Sequence, residues 1–146
     1  MEAAQFLNID LDVRSRHSLA VLAVAWPWAY QPLVAQGRSN PRWLILNASL
    51  VAKSAETVAR RLLQHIAELR GDARRCWRQA HRRVFDIGVQ AGGPGRPFEE
   101  VRFTADTLRR IAASGAQIQI TVYPAQPESP VVIGDHRRGA RSRRIQ

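Results

Sequence analysis

Two groups of residues have types and spacing that invite a chemical reading. Asn8, Asp10 and Asp12, in NIDLD, stand at alternate positions of an extended segment. Such positions set side chains on one face about 6.6–7 Å apart per step. Oxygen donors of this kind suit a hard divalent cation, provided they converge from several segments. Asp86, in RVFDIG, would complete an acidic site for a metal-dependent hydrolase if its strand lies beside the first. The plainer reading is a solvent-facing strand whose aspartates pair with Arg14 or Arg16. The second group is RRCWRQAHRR, where Arg74, Arg75, Arg78 and Arg82 fall within a 100° arc of a helix read through Arg83. That face could line phosphates, although arginines on a helix back are more often a solvated surface.

Other chemistries find less support. His17, His65, His81 and His136 have no metal-ligand spacing, and a lone cysteine, Cys76, offers neither a disulfide nor a cysteine-based zinc site. Cys76 and His81 diverge by 140° around a helix and make a poor nucleophile pair. AGGPG lacks the Lys-Ser/Thr of a phosphate loop, and neither GxGxxG nor GxSxG occurs. No catalytic residue, metal ligand or cofactor is assigned. Trp26, Trp28, Tyr30 and Trp43 lie close together in sequence. Exposed tryptophan and tyrosine anchor protein interfaces, which makes Trp28 and Tyr30 the candidate partner-binding residues.

The elements that must position these groups can be read from periodicity. QFLNIDLDV alternates, with Leu7, Ile9, Leu11 and Val13 facing one way, as in a strand with one buried face. SLAVLAVAW reads as a short helix stopped by Pro27. QPLVAQ and RWLILNASL, separated by GRSNP, read as a hairpin. SAETVARRLLQHIAELR carries a broad apolar stripe and a Ser54 cap. Gly71 is expected to end that helix and Asp72 to cap the next, which runs to a junction at Arg83–Val84. Phe85, Ile87 and Val89 then line one face of a strand. AGGPGRP is a loop, followed by a short extended FEEVRF. Thr104 caps TADTLRRIAAS, Gly115 ends it, and AQIQITVYP is a last strand with Ile118, Ile120 and Val122 facing inward.

This succession predicts an α+β fold: a ferredoxin-like, split βαβ sandwich. Its mainly antiparallel sheet would carry helices on one face and be extended by one α-β unit. Residues 1–124 form the expected single domain. Residues 125–146 form a proline-rich, then arginine-rich, tail of expected mobility, in which VVI at 131–133 could dock as a short strand. The 146 residues suit one domain, and the composition excludes a disordered or fibrous chain. The net charge is +10, but the final ten residues hold five arginines and no acid. Without them 17 basic residues face 12 acidic ones, a net of +5. Of 22 basic residues only Lys53 is lysine, a bias that a GC-rich coding background explains as readily as phosphate binding does.

RVFDIGVQAG, TLRRIAASGAQIQITVYP and the early NIDLD together resemble small uncharacterised bacterial proteins of the domain-of-unknown-function type, over residues 5 to 124. The resemblance implies a compact α+β fold and carries no site to transfer. The longest apolar stretch, Leu19 to Tyr30, is too short for the roughly 20 residues of a membrane span. With no signal-peptide pattern at the start, a bacterial-type cytoplasmic setting is expected. The functional expectation is a non-catalytic module that binds a protein partner or its own copy. The alternatives are nucleic-acid binding through the arginine face and tail, and a metal-dependent hydrolase built on Asp10, Asp12 and Asp86.

Overall fold

The computed structural model describes residues 5–36, 39–47, 54–92 and 100–125. Four strands form one mixed, open sheet in the order β2-β1-β3-β4. They are β1 (Gln5–Arg14), β2 (Trp43–Asn47), β3 (Arg82–Gln90) and β4 (Gln117–Tyr123). The helices are α1 (Ala20–Ala25), α2 (Ala55–Glu68), α3 (Gly71–Gln79) and α4 (Ala105–Ala113). β1 pairs antiparallel with both β2 and β3, whereas β3 and β4 run parallel. The fold is α+β, and among the described residues no helix is long and apolar enough to cross a membrane.

One face of the sheet makes the core. Ile9, Leu11 and Val13 of β1, Leu44 and Leu46 of β2, and Phe85 and Ile87 of β3 join one cluster with the apolar stripes of the helices. Among the described buried apolar residues only Val84 lies outside it, so the helices form a single layer. Trp26, after α1, meets Trp77 of α3 edge-on with centroids 6.0 Å apart. The alternation expected of β1 breaks at Leu7: a bulge between Phe6 and Asn8 shifts the phase. Phe6 then packs on the core and Leu7 is exposed.

The expected split βαβ succession is corrected. That arrangement needs parallel strands with another strand between them, but β1 and β2 are antiparallel neighbours and β3 and β4 are adjacent. The difference begins at QPLVAQ, which forms a 3₁₀ turn at Leu33–Ala35 rather than a strand. Pro32 removes a ladder donor at its start, and only Tyr30 bridges Ile45. Further on, Gly71 begins α3 at φ +50° with Arg70 as its N-cap, so Asp72 lies in the first turn instead of capping it. α3 stops at Gln79 and β3 begins at Arg82, which moves the expected junction from Arg83–Val84 back to Ala80–His81. Residues 126–146, with the VVI segment and the basic tail, and most of the AGGPGRP loop lie outside the described residues.

The caps of α2 and α4 are the ones expected. Ser54 and Thr104 hydroxyl oxygens accept from the backbone N–H groups of Thr57 and Thr107, at 3.3 and 3.2 Å. Glu56, in the first turn of α2, ties the two starts together. It accepts from the Thr104 N–H at 3.1 Å, the Thr104 hydroxyl at 3.0 Å and the Thr107 hydroxyl at 2.6 Å. Partial burial pulls its carboxyl upward, yet the hydrogen bonds from Thr107 and Thr104 and the nearby Arg60 charge hold it below the usual carboxylate value. A carboxylate lowered on folding stabilises above its unfolded pKa and loses that contribution as pH falls. Glu56→Ala is expected to lower the melting temperature at pH 7. The gap to the unaltered chain should narrow on acidification below about 4.5, as followed by thermal denaturation across pH.

Candidate functional site

The face of the sheet turned away from the helices is polar. β1 presents Asn8, Asp10, Asp12 and Arg14 there, and β3 presents Arg82, Val84, Asp86 and Gly88. The register sets Asp10 opposite Asp86 and Asp12 opposite Val84. The three aspartates named from sequence therefore do share one face, but each is already engaged by protein groups. Asp12 is buried and accepts from Arg14 at 3.3 and 3.2 Å, Arg82 at 3.0 Å and the Trp43 indole N–H at 2.8 Å. Asp10 accepts from the side-chain amides of Asn8 and Asn47, both at 2.9 Å. Asp86 accepts from the Thr121 hydroxyl at 2.6 Å. Among the described residues no group of three or more His, Cys, Asp or Glu side chains is placed to hold a metal.

This network has two electrical characters. At Asp12 a buried carboxylate is matched by two guanidiniums, one of them also stacked on Trp43 at 3.8 Å. At Asp10 the balance is adverse: burial, then the facing Asp86 charge, raise its pKa above the ordinary 3.8, with Asp12 adding to them and Asn47 opposing. Burial and the Asp10 charge likewise raise the Tyr30 phenol. Arg82 also donates to the Gln119 side chain at 3.1 Å. With Thr121–Asp86 this ties the polar side of β4 to β3.

The arginine arc dissolves. Because α3 ends at Gln79, Arg82 belongs to the polar sheet face and is ion-paired to Asp12. Arg75 pairs with Asp72 at 3.2 Å on the surface. Arg74 and Arg78 instead meet Arg83 and Arg110 around a cleft of about 470 Å³ between α2, α3, the start of β3 and the end of α4. Among the described residues no carboxylate lines it. Arg83 stands near the arginine group in sequence, but sequence reasoning missed Arg110, since its convergence with the others depends on how α4 docks against α2 and has no local signal.

The apolar surface was partly foreseen. Trp28 and Tyr30 are about half exposed, with Val24, Leu33 and Val34 nearby in sequence more so. Trp28 rests on His65 at 5.2 Å, and Tyr30 exchanges two backbone hydrogen bonds with Ile45. β4 corrects expectation in part: Ile118, Ile120 and Val122 turn to the core side of the sheet but are not buried there, being 41%, 65% and 64% exposed. They stand in register with Phe85, Ile87 and Val89 on the core side of the sheet, but α4 leans on α2 and leaves β4 uncovered. Comparison with protein-family models, curated proteins and solved structures finds no match, so the roles of these residues rest on geometry.

The two aspartates should respond in opposite senses. Asp12→Ala leaves Arg14, Arg82 and the Trp43 N–H without their acceptor, and since both guanidiniums are partly exposed it should cost about 1–3 kcal/mol in urea denaturation. Asp10→Asn keeps an acceptor for Asn8 and Asn47 while removing the repelled charge. A carboxyl raised on folding favours the folded state below its unfolded pKa and loses that advantage as pH rises through the folded value. Asp10→Asn should therefore be more stable than the parent chain at pH 7, with the gain vanishing below about pH 3.8.

Proposed function

We propose that this chain is a non-catalytic interaction module that associates with a second copy of itself along β4. The observation behind this reading is the edge strand QIQITVY. It has no charged residue, no proline and no bulge, and its partner-free edge is flanked by exposed Ile118, Ile120 and Val122 among the described residues. Monomeric proteins commonly protect such an edge with a lysine, a proline or a covering segment.

The strand is self-complementary, which favours a second copy over an unrelated partner. Antiparallel pairing about a two-fold axis at Ile120 sets Ile118 opposite Val122 of the partner subunit and Gln119 opposite Thr121 of the partner subunit. Apolar side chains then meet apolar ones on the core face, and polar meet polar on the other. An interface of this kind uses the same patch on both subunits and closes as a dimer. Full burial of an Ile or Val side chain contributes about 1.5–3 kcal/mol, and the ladder satisfies backbone groups of both strands. The two four-stranded sheets would join into one, with the polar faces continuous. Trp28 and Tyr30, on the far side of the sheet from β4, belong to a separate surface.

Light scattering tests this. The chain should weigh roughly twice its 16.4 kDa monomer mass at high salt, where repulsion between two chains of net charge +10 is screened. Ile120→Lys should return it to the monomer mass with an unchanged circular-dichroism spectrum. A monomeric parent chain would contradict the proposal. So would a chain that dimerises only after removal of residues 126–146, because the tail, not a second copy, would then be the native cover of β4.

A further inference from the structure

We propose that the arginine-lined cleft beside Trp77 binds a small ligand carrying two or more phosphate-type anionic groups. This site is independent of β4 and its self-association. The cleft has a volume of about 470 Å³, within the range of small-molecule sites. Its charge is one-signed: Arg74, Arg78, Arg83 and Arg110 line it, and among the described residues no Asp or Glu does. Leu63, Ile66 and Ala113 supply an apolar wall. That combination of a few convergent polar groups on an apolar surface is what a pocket needs to hold and orient a polar ligand.

Two of the guanidiniums are already held in place. Arg83 lies over the Trp77 ring at 5.7 Å and donates to the carbonyl oxygens of Trp77 and Arg78, at 3.4 and 3.5 Å. Gly115, at φ +76°, makes room for it: a Cβ there would come within 3.1 Å of the Arg83 guanidinium. The Trp77 ring is itself fixed, since its indole N–H donates to the Ser114 carbonyl at 3.1 Å. Arg74 donates to the Leu69 carbonyl at 3.4 Å. The side chains of Arg78 and Arg110 have no hydrogen-bond or ion-pair partner among the described residues, and Arg110 is half-buried.

Helix dipoles explain only part of this. Arg78 and Arg110 lie in the last turns of α3 and α4, where a cation is favoured. Two helix C-termini supply about one negative charge in all, against four guanidiniums. Arginines without an ion-pair partner occur elsewhere among the described residues, as at Arg16, Arg42 and Arg61, while Arg75, Arg102 and Arg109 pair with Asp72, Glu100 and Asp106, and Arg14 and Arg82 share Asp12. What sets these four apart is that they gather round one cleft. Planar guanidiniums with free N–H groups bind phosphate oxygens in paired hydrogen bonds. A single phosphate would leave several of the four unused, which favours a ligand with at least two anionic groups. A concave site of this size also suits a compact anion better than a strand of nucleic acid, which tracks an extended groove.

The test is isothermal titration of the full chain with inorganic pyrophosphate. Saturable binding at one site per chain is expected. Arg78→Ala and Arg110→Ala should each weaken it about tenfold or more, the loss of one charge-assisted contact. Arg75→Ala, outside the cleft, should stay within about twofold. Thermal melting confirms that each variant folds. Absence of saturable binding would overturn the proposal. So would undiminished binding in Arg78→Ala and Arg110→Ala, which would place the anion elsewhere, as on the C-terminal arginines. Tighter binding of a short single-stranded oligonucleotide, weakened as much by Arg75→Ala as by Arg78→Ala, would mean a nucleic-acid face and would equally overturn it.

Discussion

The antiparallel register that sets Ile9 against Ile87 and Leu11 against Phe85 governs the rest of the molecule. These four side chains are essentially inaccessible at the centre of the core. A slip of one residue would turn them to the opposite face and bring the aspartates into the core, so the pairing is strongly specified. The same register has an electrostatic consequence. It puts Asp10 opposite Asp86, and Arg14 opposite Arg82 with Asp12 between them and Trp43. Core and polar face are thus two sides of one choice.

That choice also decides what is left over. The helix layer packs on the sheet through α2 on β1, and α4 packs on α2. It is too narrow to reach β4, whose polar side is bound to β3 through Gln119 and Thr121 while its apolar side stays bare. The docking of α4 on α2 has a second effect, just ahead of β4. It brings Arg110 and Gly115 to Trp77 and Arg83 and so forms the arginine cleft. Two surfaces of different chemistry, one uncharged and one strongly basic, arise from the placement of one nine-residue helix.

Much of this was legible locally. The alternation of Ile9, Leu11 and Val13, the stripe of α2, the Ser54 and Thr104 caps and the Phe85/Ile87 face depend on nearest neighbours, and all appear in the structure. What failed depended on partners. QPLVAQ has strand-like composition, yet Pro32 and the single bridge at Tyr30 leave it no ladder to join. Leu7 fits the alternation until a bulge skips it. Arg82 fits a helical arc until the helix ends at Gln79, four residues sooner than its amphipathic pattern suggests. Ile118, Ile120 and Val122 keep an inward pattern but meet no helix. Periodicity says which face of a strand is apolar; it does not say whether anything covers that face. The sharing of one face by Asp10, Asp12 and Asp86 was a conditional reading whose condition was met. Their engagement by Arg, Asn, Trp and Thr partners was not visible beforehand.

In the proposed dimer β4 passes from an edge strand of the isolated chain to an interior strand of one continuous sheet. Amide hydrogen exchange across residues 117–123, followed as protein concentration rises, reads that difference directly. Amides of β4 that face away from β3 should exchange rapidly in dilute solution and become protected as the dimer forms, while Ile120→Lys keeps them fast at every concentration. Protection of those amides independent of concentration, or fast exchange throughout, would contradict it.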